Sequence, residues 1–285
     1  MSVATPARVE ELELHRRELT GYCYRMLGSP FEAEDAVQET MIRAWKALDR
    51  FEGRAALRSW LYRIATNVCL DSIAGRERRA RPMDLGPSRE PVVSNLNALP
   101  EVTWIEPVPE GLIVPDGDPA EVTSARETVR LAFVAALQRA RATLDASDLA
   151  ASTTSPSVEQ ADAELLARYV DAFERYDLDA LTSLIHEDAT QSMPPYDLWL
   201  RGRDDIFTWW YGPGIGCKGS RVIPAGMANG SPAFGQYKPS ETDSGFDPWA
   251  LQVVEVEAGV IVELTFFLDT ERVFPLFGLP ARLEG

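Results

Sequence analysis

Eight prolines between residues 82 and 119 set the strongest limit on how this chain can fold. Proline lacks a backbone N–H and disrupts a helix interior, so this stretch cannot form a long helix or a central strand. We therefore expect a multidomain chain, with a first domain at 8–82 and a Pro-rich acidic linker at 83–119. The linker also has apolar residues that could dock on a surface, namely Trp104, Ile105, Leu112, Ile113 and Val114. The prolines are Pro82, Pro87, Pro91, Pro100, Pro107, Pro109, Pro115 and Pro119.

Charge is distributed unevenly along the 285 residues. The net charge is −16, but residues 1–81 carry +2 and the remaining 204 residues carry −18. Within the first segment, residues 50–81 carry a net charge of +5. A local basic patch in an acidic molecule indicates either a nucleic-acid contact or a solvated helix face, and charge alone leaves both open.

Other features argue for a cytoplasmic protein without membrane partners. No apolar run approaches the roughly 20 residues that span a bilayer, and the N-terminal stretch lacks the apolar core of a signal peptide. The widely spaced Cys23, Cys69 and Cys217 match no metal pattern and are typical of reduced thiols. We expect no metal site, no cofactor and no catalytic residue.

Two long helices are predicted in the first domain. Ser29 is a helix cap, Pro30 suits the first helical position, and Glu32 completes a capping box. Spacings of three and four predict one buried face on each helix. On the first helix this face comprises Ala36, Val37, Met41, Ala44, Trp45 and Leu48. On the second it comprises Leu57, Trp60, Leu61, Ile64, Ala65, Val68 and Ile73.

The last region, residues 159–285, changes from helical to β periodicity. Helical stripes precede the corner at His186, Glu187 and Asp188. Two strand-like runs, 249–257 and 260–268, then flank Ala258-Gly259 and predict a hairpin. Helices followed by antiparallel strands indicate an α+β domain.

The first domain resembles region 2 of extracytoplasmic-function (ECF) RNA polymerase sigma factors. The resemblance rests on two blocks, EDAVQETMIRAW at 34–45 and WLYRIATN at 60–67, at this separation. It implies an all-α domain whose first long helix binds the clamp coiled coil of RNA polymerase core. On this chain the polymerase-binding residues would be Asp35, Gln38, Glu39, Ile42 and Arg43.

The same resemblance implies that the second helix and the turn before it bind the −10 element of promoter DNA. Single-stranded bases need stacking surfaces and hydrogen-bond partners, and phosphates need cations. The DNA-binding candidates are Arg54, Arg58, Ser59, Tyr62, Arg63, Asn67, Arg76, Arg78 and Arg79. Trp60 could act as a wedge between bases, but its place on the apolar stripe favours core packing.

The resemblance also implies that a DNA-reading module is missing at the junction ETVRLAFVAALQRARATL, residues 127–144. In the family, the first part of such a helix precedes a helix-turn-helix that reads the −35 element, and the last part resembles its end. We place the join at Leu137-Gln138, with 120–146 as a helical remnant of region 4 and 147–158 as a flexible linker. The alternative is a generic helix rich in Ala and Arg.

Residues 159–285 resemble the SnoaL-like polyketide-cyclase family, a cone of curved antiparallel sheet with helices over its mouth. The resemblance rests on LLARYVDAFERYDLDALTSLIHEDATQSMPP, RGRDDI and WALQVVEVEAGVIVELTFFLD. Enzymes of this fold use a buried general base, for which the candidates are His186, Asp188 and Asp197. Helix capping is the simpler role for the first two. Possible pocket walls are Trp199, Trp209, Trp210, Tyr211 and Trp249.

Together these patterns predict a sigma factor that directs RNA polymerase to promoters but reads the −35 element poorly. The resemblance also implies that the SnoaL-like domain regulates the chain through intramolecular contact with the sigma part and linker. Two alternatives remain open, a small-molecule cyclase or isomerase, and a polymerase-binding modulator without full promoter recognition.

Overall fold

The computed structural model describes residues 6–51, 56–75, 79–114 and 160–285, which fall into two compact units. The helical unit contains residues up to Arg79 together with the segment from Ile105 to Val114. The mixed unit contains residues Ala80–Trp104 and the C-terminal region. Arg54, Arg76, Arg78, the remnant at 120–146, the linker at 147–158 and the join at Leu137-Gln138 lie outside the described residues.

The helical unit is all-α, as predicted. Its helices, numbered with the rest of the chain, are α1 (Pro6–Glu13), α2 (Arg16–Leu27), α3 (Pro30–Ala47), α4 (Leu57–Ile73) and α6 (Glu110–Ile113), and a 3-10 turn covers Leu48–Arg50. Ser29 Oγ accepts a hydrogen bond from Glu32 N at 3.3 Å, and Pro30 is the first helical residue of α3. The cap predicted from Ser29 and Pro30 is thereby confirmed.

The predicted buried face of α3 is correct except at one position. Ala36, Val37, Met41, Ala44 and Leu48 are buried, whereas Trp45 is 53% exposed, so its assignment to the core was wrong. Ala33 and the buried hydroxyl of Thr40 complete the packed face instead. The α3 stripe is therefore narrower than periodicity predicted, and its edge residue faces solvent. On α4, Leu61, Ala65 and Val68 are buried as predicted, whereas Leu57, Trp60, Ile64 and Ile73 are partly buried and pack against the core.

The end of the described linker, residues 105–114, packs against the helical unit, and we call it the docked segment. Val108, Ile113 and Val114 belong to the same apolar core as α2 and α3. Tyr24 donates its hydroxyl to Glu106 O at 2.7 Å, and Glu106 N donates to Gly28 O at 2.9 Å. Leu112, which was also predicted to dock, is 44% exposed.

The mixed unit has helices on a curved sheet. Its helices are α5 (Pro82–Leu85), α7 (Gln160–Arg175), α8 (Leu178–Leu184), α9 (Arg203–Tyr211) and α10 (Thr270–Leu276), with 3-10 turns at Val93–Asn95, Glu101–Thr103 and Pro213–Cys217. Its strands are β1 (Ile185–Ser192), β2 (Trp199–Arg201), β3 (Arg221–Ala228), β4 (Ser231–Pro239), β5 (Phe246–Glu257) and β6 (Val260–Phe267).

The six strands form one sheet in the order β2-β1-β6-β5-β4-β3. Its pairings are antiparallel except that between β1 and β6, which is parallel, so the sheet is mixed rather than wholly antiparallel. The predicted hairpin joins β5 to β6. Ala258 and Gly259 have φ angles of 51° and 78°, the left-handed pair that a tight two-residue hairpin turn requires. Register shifts in four pairings mark bulges, which bend a sheet.

Residues 80–104 form a strap along the edge strand of this sheet. Arg89 N donates to Trp199 O at 3.2 Å, and Asp197 N donates to Asn97 O at 3.0 Å. Leu96 packs against the core of the mixed unit. The two ends of the strap meet where Ala80 N donates a hydrogen bond to Thr103 O at 2.7 Å. The described part of the Pro-rich stretch contains only short helical turns, as its prolines predict, but it is held against the sheet and the helical unit rather than extended and free.

Candidate functional site

The predicted polymerase-binding residues lie on the outer face of α3. Asp35, Gln38, Ile42 and Arg43 are exposed, and Glu39 is partly exposed. Glu39 and Arg43 are four residues apart and form an ion pair with a Nε to Oε1 distance of 2.6 Å. Ile42 is 44% exposed, and the exposed Trp45 lies three residues further along the same helix. The face thus combines a large apolar pair with charges of both signs.

The predicted DNA-binding residues of α4 share its outer face. Arg58, Ser59, Arg63 and Asn67 are exposed, and Tyr62 is half-buried. Trp60 packs on Phe51 with ring centroids 4.9 Å apart and contacts the apolar core, which favours core packing over the wedge. About three turns of α4, from Arg58 to Asn67, therefore present cations, a hydroxyl, an amide and an aromatic ring on the outer face of the helix.

Glu18 of α2 fixes two of these α4 side chains. Its Oε1 accepts a hydrogen bond from Arg58 Nε at 2.6 Å and from the Tyr62 hydroxyl at 2.7 Å. Burial raises the pKa of Glu18, but the bonds from Arg58 and Tyr62 outweigh it and hold that pKa below its ordinary value. Burial and the bond to Glu18 raise the pKa of Tyr62 to about 12, so its hydroxyl remains a donor at neutral pH.

Arg79 does not belong to the exposed DNA-binding surface, contrary to the prediction. Its side chain is 6% exposed and pairs with Glu32 at 3.0 Å and with Glu106 at 3.6 Å. Basic sequence context suggested a phosphate contact, but the acidic partner Glu106 comes from the docked segment. Arg79 therefore joins α3 to that segment by a buried ion-pair network.

The three candidate general bases of the cone do not converge on its interior. His186 and Asp188 are exposed at the start of β1, where Asp188 N donates to His186 Nδ1 at 3.1 Å. Asp197 is held by the strap, because Arg89 Nη2 contacts its Oδ2 at 2.9 Å and Asn97 Nδ2 does so at 3.3 Å. The candidate bases thus have local or strap-binding roles.

The predicted pocket aromatics divide between core and surface. Trp209 and Trp210 are buried in the apolar core of the cone. Trp199 donates Nε1 to Gly86 O of the strap at 2.8 Å. Tyr211 and Trp249 are exposed. Of these five aromatic residues, only Trp209 and Trp210 therefore belong to the packed interior.

A row of hydrogen bonds between uncharged groups crosses the interior of the cone. Tyr169 of α7 donates to Gln252 Oε1 at 2.9 Å, Gln252 Nε2 donates to Gln236 Oε1 at 2.9 Å, and Gln236 Nε2 donates to Ser220 Oγ at 3.0 Å. All four side chains are buried. Among the described residues of the cone, the buried polar side chains are amides and hydroxyls, which do not serve as a general base at neutral pH.

Periodicity missed two features of this site. Trp45 follows the apolar spacing of α3, so only packing could reveal its exposure. The second feature is a face of α2 next to α4, which carries Glu18, Tyr22 and Arg25. Their spacing of four and three residues places them on one side of the helix, and this spacing was the signal available in the sequence. Within the described ranges, no helix is both long and apolar enough to cross a lipid bilayer.

Family models match both units. Residues 12–79 match Sigma-70 region 2, and residues 166–264 match the SnoaL-like domain. Among solved structures, the extracytoplasmic-function sigma factor SigJ of Mycobacterium tuberculosis covers 95% of this chain and 99% of its own, with a TM-score of 0.50 and 19% identity. This likeness shows the fold and confirms the predicted combination of a helical and an α+β domain.

Curated relatives extend the match to function. The ECF RNA polymerase sigma factor SigG of Mycobacterium tuberculosis is 38% identical over 322 residues, which cover 95% of this chain and 83% of SigG. The ECF sigma factor SigW of Bacillus subtilis is 44% identical over 62 residues, 22% of this chain and 33% of SigW. The SigG match spans both units and favours a transcription factor over an enzyme. The chain belongs to the ECF RNA polymerase sigma factors.

Proposed function

We propose that this sigma factor binds RNA polymerase core through the outer face of α3 and the −10 element through the outer face of α4. The observation that carries the proposal is the exposed pair Ile42 and Trp45 on the same helix face as Gln38 and next to the Glu39–Arg43 ion pair. Aromatic residues at the centre of a charged rim are characteristic of protein interfaces. We place this activity in the cytoplasm, where polymerase and promoters are found.

We further propose that −35 recognition is weak. The alignment with SigG has 322 positions, whereas 95% of this 285-residue chain is about 271 residues, so about 50 positions have no counterpart here. A helix-turn-helix with its supporting helices needs several tens of residues. This length supports the deletion inferred at residues 127–144.

Reconstituted transcription tests both proposals. Core polymerase with the full chain should initiate from templates selected out of a promoter library, and scrambling their −35 segments should change transcript yield by less than about twofold. The control is a holoenzyme with an ECF sigma factor that has a helix-turn-helix, whose yield should fall when the −35 segment is scrambled. Transcription that depends on the −35 segment would refute the deletion argument. Core binding without any transcript would instead support the modulator alternative.

We also propose that the SnoaL-like domain restrains the sigma activity through the strap. In support, the strap is tied at several points, including Asp197 to Arg89, Trp199 to Gly86, and Arg81 Nη1 to Glu263 Oε1 at 3.3 Å. The strap is covalently continuous at both ends with the helical unit. The net charge of −18 outside residues 1–81 also allows competition with DNA phosphates for the basic stretch.

Asp197→Ala tests this restraint in the full chain. Loss of the Asp197 carboxylate removes its hydrogen bonds from Arg89 and Asn97 and should loosen the strap. Because the restraint on the sigma part is then weaker, the affinity of the holoenzyme for promoter DNA should rise about fivefold at low salt. The control is Asp188→Ala, because Asp188 is an exposed carboxylate of the same unit without a strap contact in the described structure. Equal DNA affinity of Asp197→Ala and wild type would contradict the proposal.

A further inference from the structure

Helix α2 has an aromatic and cationic surface beside α4. None of its residues is among the predicted DNA-binding residues. Its outer residues Tyr22 and Arg25 are partly exposed, whereas Leu19, Cys23 and Leu27 face the core. The outer face of α2 lies next to the α4 residues Tyr62 and Thr66, which it contacts directly. The two helices therefore present one surface.

Four side chains on this surface form a ladder of two aromatic rings with a cation at each end. The Arg58 guanidinium carbon lies 5.4 Å from the Tyr62 ring centroid. The rings of Tyr62 and Tyr22 meet edge to face, with centroids 4.7 Å apart and an interplanar angle of 63°. The Arg25 guanidinium carbon lies 5.9 Å from the Tyr22 ring centroid. The order along the surface is thus cation, ring, ring, cation.

The ladder is held in place by hydrogen bonds at both hydroxyls. Tyr62 donates to Glu18 at 2.7 Å, and the Tyr22 hydroxyl shares a 2.7 Å hydrogen bond with Thr66 Oγ1. The rings are consequently ordered before any ligand binds, which lowers the entropy cost of binding. Because both hydroxyls are engaged, recognition by the rings relies on stacking and charge rather than on hydrogen bonds that read bases.

We propose that Tyr22 and Arg25 extend the single-stranded DNA surface of α4 onto α2. Tyr22 provides a stacking surface for an unpaired base, and Arg25 pairs with a phosphate of the same strand. Aromatic rings flanked by cations are the chemistry that binds single strands with little sequence preference. This inference rests on the proposed −10 function and assigns it additional residues.

Binding of a fluorescent oligothymidine of about 20 nucleotides to the full chain tests the inference. Arg25→Glu should weaken binding about tenfold. The slope of log affinity against log salt concentration should fall by the equivalent of about one phosphate contact or more. Tyr22→Leu should weaken it about tenfold by removing the ring, whereas Tyr22→Phe keeps the ring and should stay within about twofold. Circular dichroism and thermal melting would verify that each variant is folded.

Two further variants separate this inference from the function on which it rests. Arg16→Ala is the matched control, because Arg16 is a cation of the same helix that pairs with Glu13 and Glu34 outside the ladder. It should leave strand affinity within about twofold. Arg63→Ala removes a cation from the α4 surface. It should weaken strand binding if the proposed −10 function is correct, whether or not α2 takes part.

The outcomes distinguish the two proposals. Weakened binding by Arg25→Glu and Tyr22→Leu, with Arg16→Ala unchanged, supports the assignment of α2. Weakened binding by Arg63→Ala alone would overturn that assignment and leave the −10 proposal intact. If the wild-type chain does not bind the strand, or if none of these variants weakens binding, both proposals are rejected.

Discussion

Replacing Trp45 with Ala is expected to weaken binding to RNA polymerase core by about 30-fold, without unfolding the protein. A buried interface tryptophan commonly contributes 2 kcal/mol or more, and about 1.4 kcal/mol corresponds to tenfold in affinity. Trp45 is 53% exposed in the free chain, so its removal leaves the packed face of α3 intact. Ile42→Ala should have a smaller effect in the same direction. Titration of purified core polymerase with labelled chain gives both dissociation constants.

Leu70→Ala provides the matched control for Trp45→Ala. Leu70 is a large apolar side chain of the same unit, 50% exposed, but it lies on α4 rather than on the outer face of α3. Its truncation should change core affinity by less than about twofold. Equal affinity of Trp45→Ala and wild type would exclude the outer face of α3 as the polymerase interface.

Replacing Gly21 with Ala is expected to destabilise the helical unit by about 1–3 kcal/mol, although alanine is the better helix former. A Cβ at Gly21 would lie 2.7 Å from the carbonyl oxygen of Ile113, which is backbone and cannot rotate away. The docked segment would have to move, and with it the buried Val108 and Val114 and the bond from Tyr24 to Glu106. Thermal unfolding measures the loss.

Gly111→Ala is the control for Gly21→Ala. Gly111 belongs to the same docked segment, in α6, and an added Cβ would have no heavy atom within 4 Å. The substitution should be neutral or stabilise by up to about 1 kcal/mol through lower backbone entropy in the unfolded chain. If both variants melt at or above the wild-type temperature, close packing of α2 on the docked segment is not required for stability. Limited proteolysis near residues 105–114 would show directly whether Gly21→Ala releases the segment.

Local patterns in the sequence were sufficient for much of the fold. The cap at Ser29 and Pro30, the stripe from Ala36 to Leu48 and the hairpin at Ala258-Gly259 each depend on residues within a few positions of one another. Such interactions are encoded locally, so periodicity and capping chemistry predict them well. The exposed faces of α3 and α4 follow from the same patterns, because they are the opposite sides of the buried stripes.

Errors in the predicted site came from contacts between residues distant in sequence. Trp45 continues the apolar spacing of α3, but tertiary packing leaves it 53% exposed. Arg79 lies in a basic run, yet Glu106, 27 positions later, lies beside it and buries it. Asp197 resembles a candidate base, but Arg89 of the strap occupies its carboxylate. None of these partners can be identified from local spacing.

The sequence alone predicted the family motifs, the helical and α+β domains, the Pro-rich connection after the first domain and the basic patch. It did so because these depend on residue type, on periods of two or 3.6 residues, and on proline's missing N–H. Folding determines which cations remain on the surface, where the two parts of the described linker pack, and how α2 and α4 form one aromatic ladder. These outcomes depend on burial and side-chain pairing across tens of residues, which become defined only when the chain has folded.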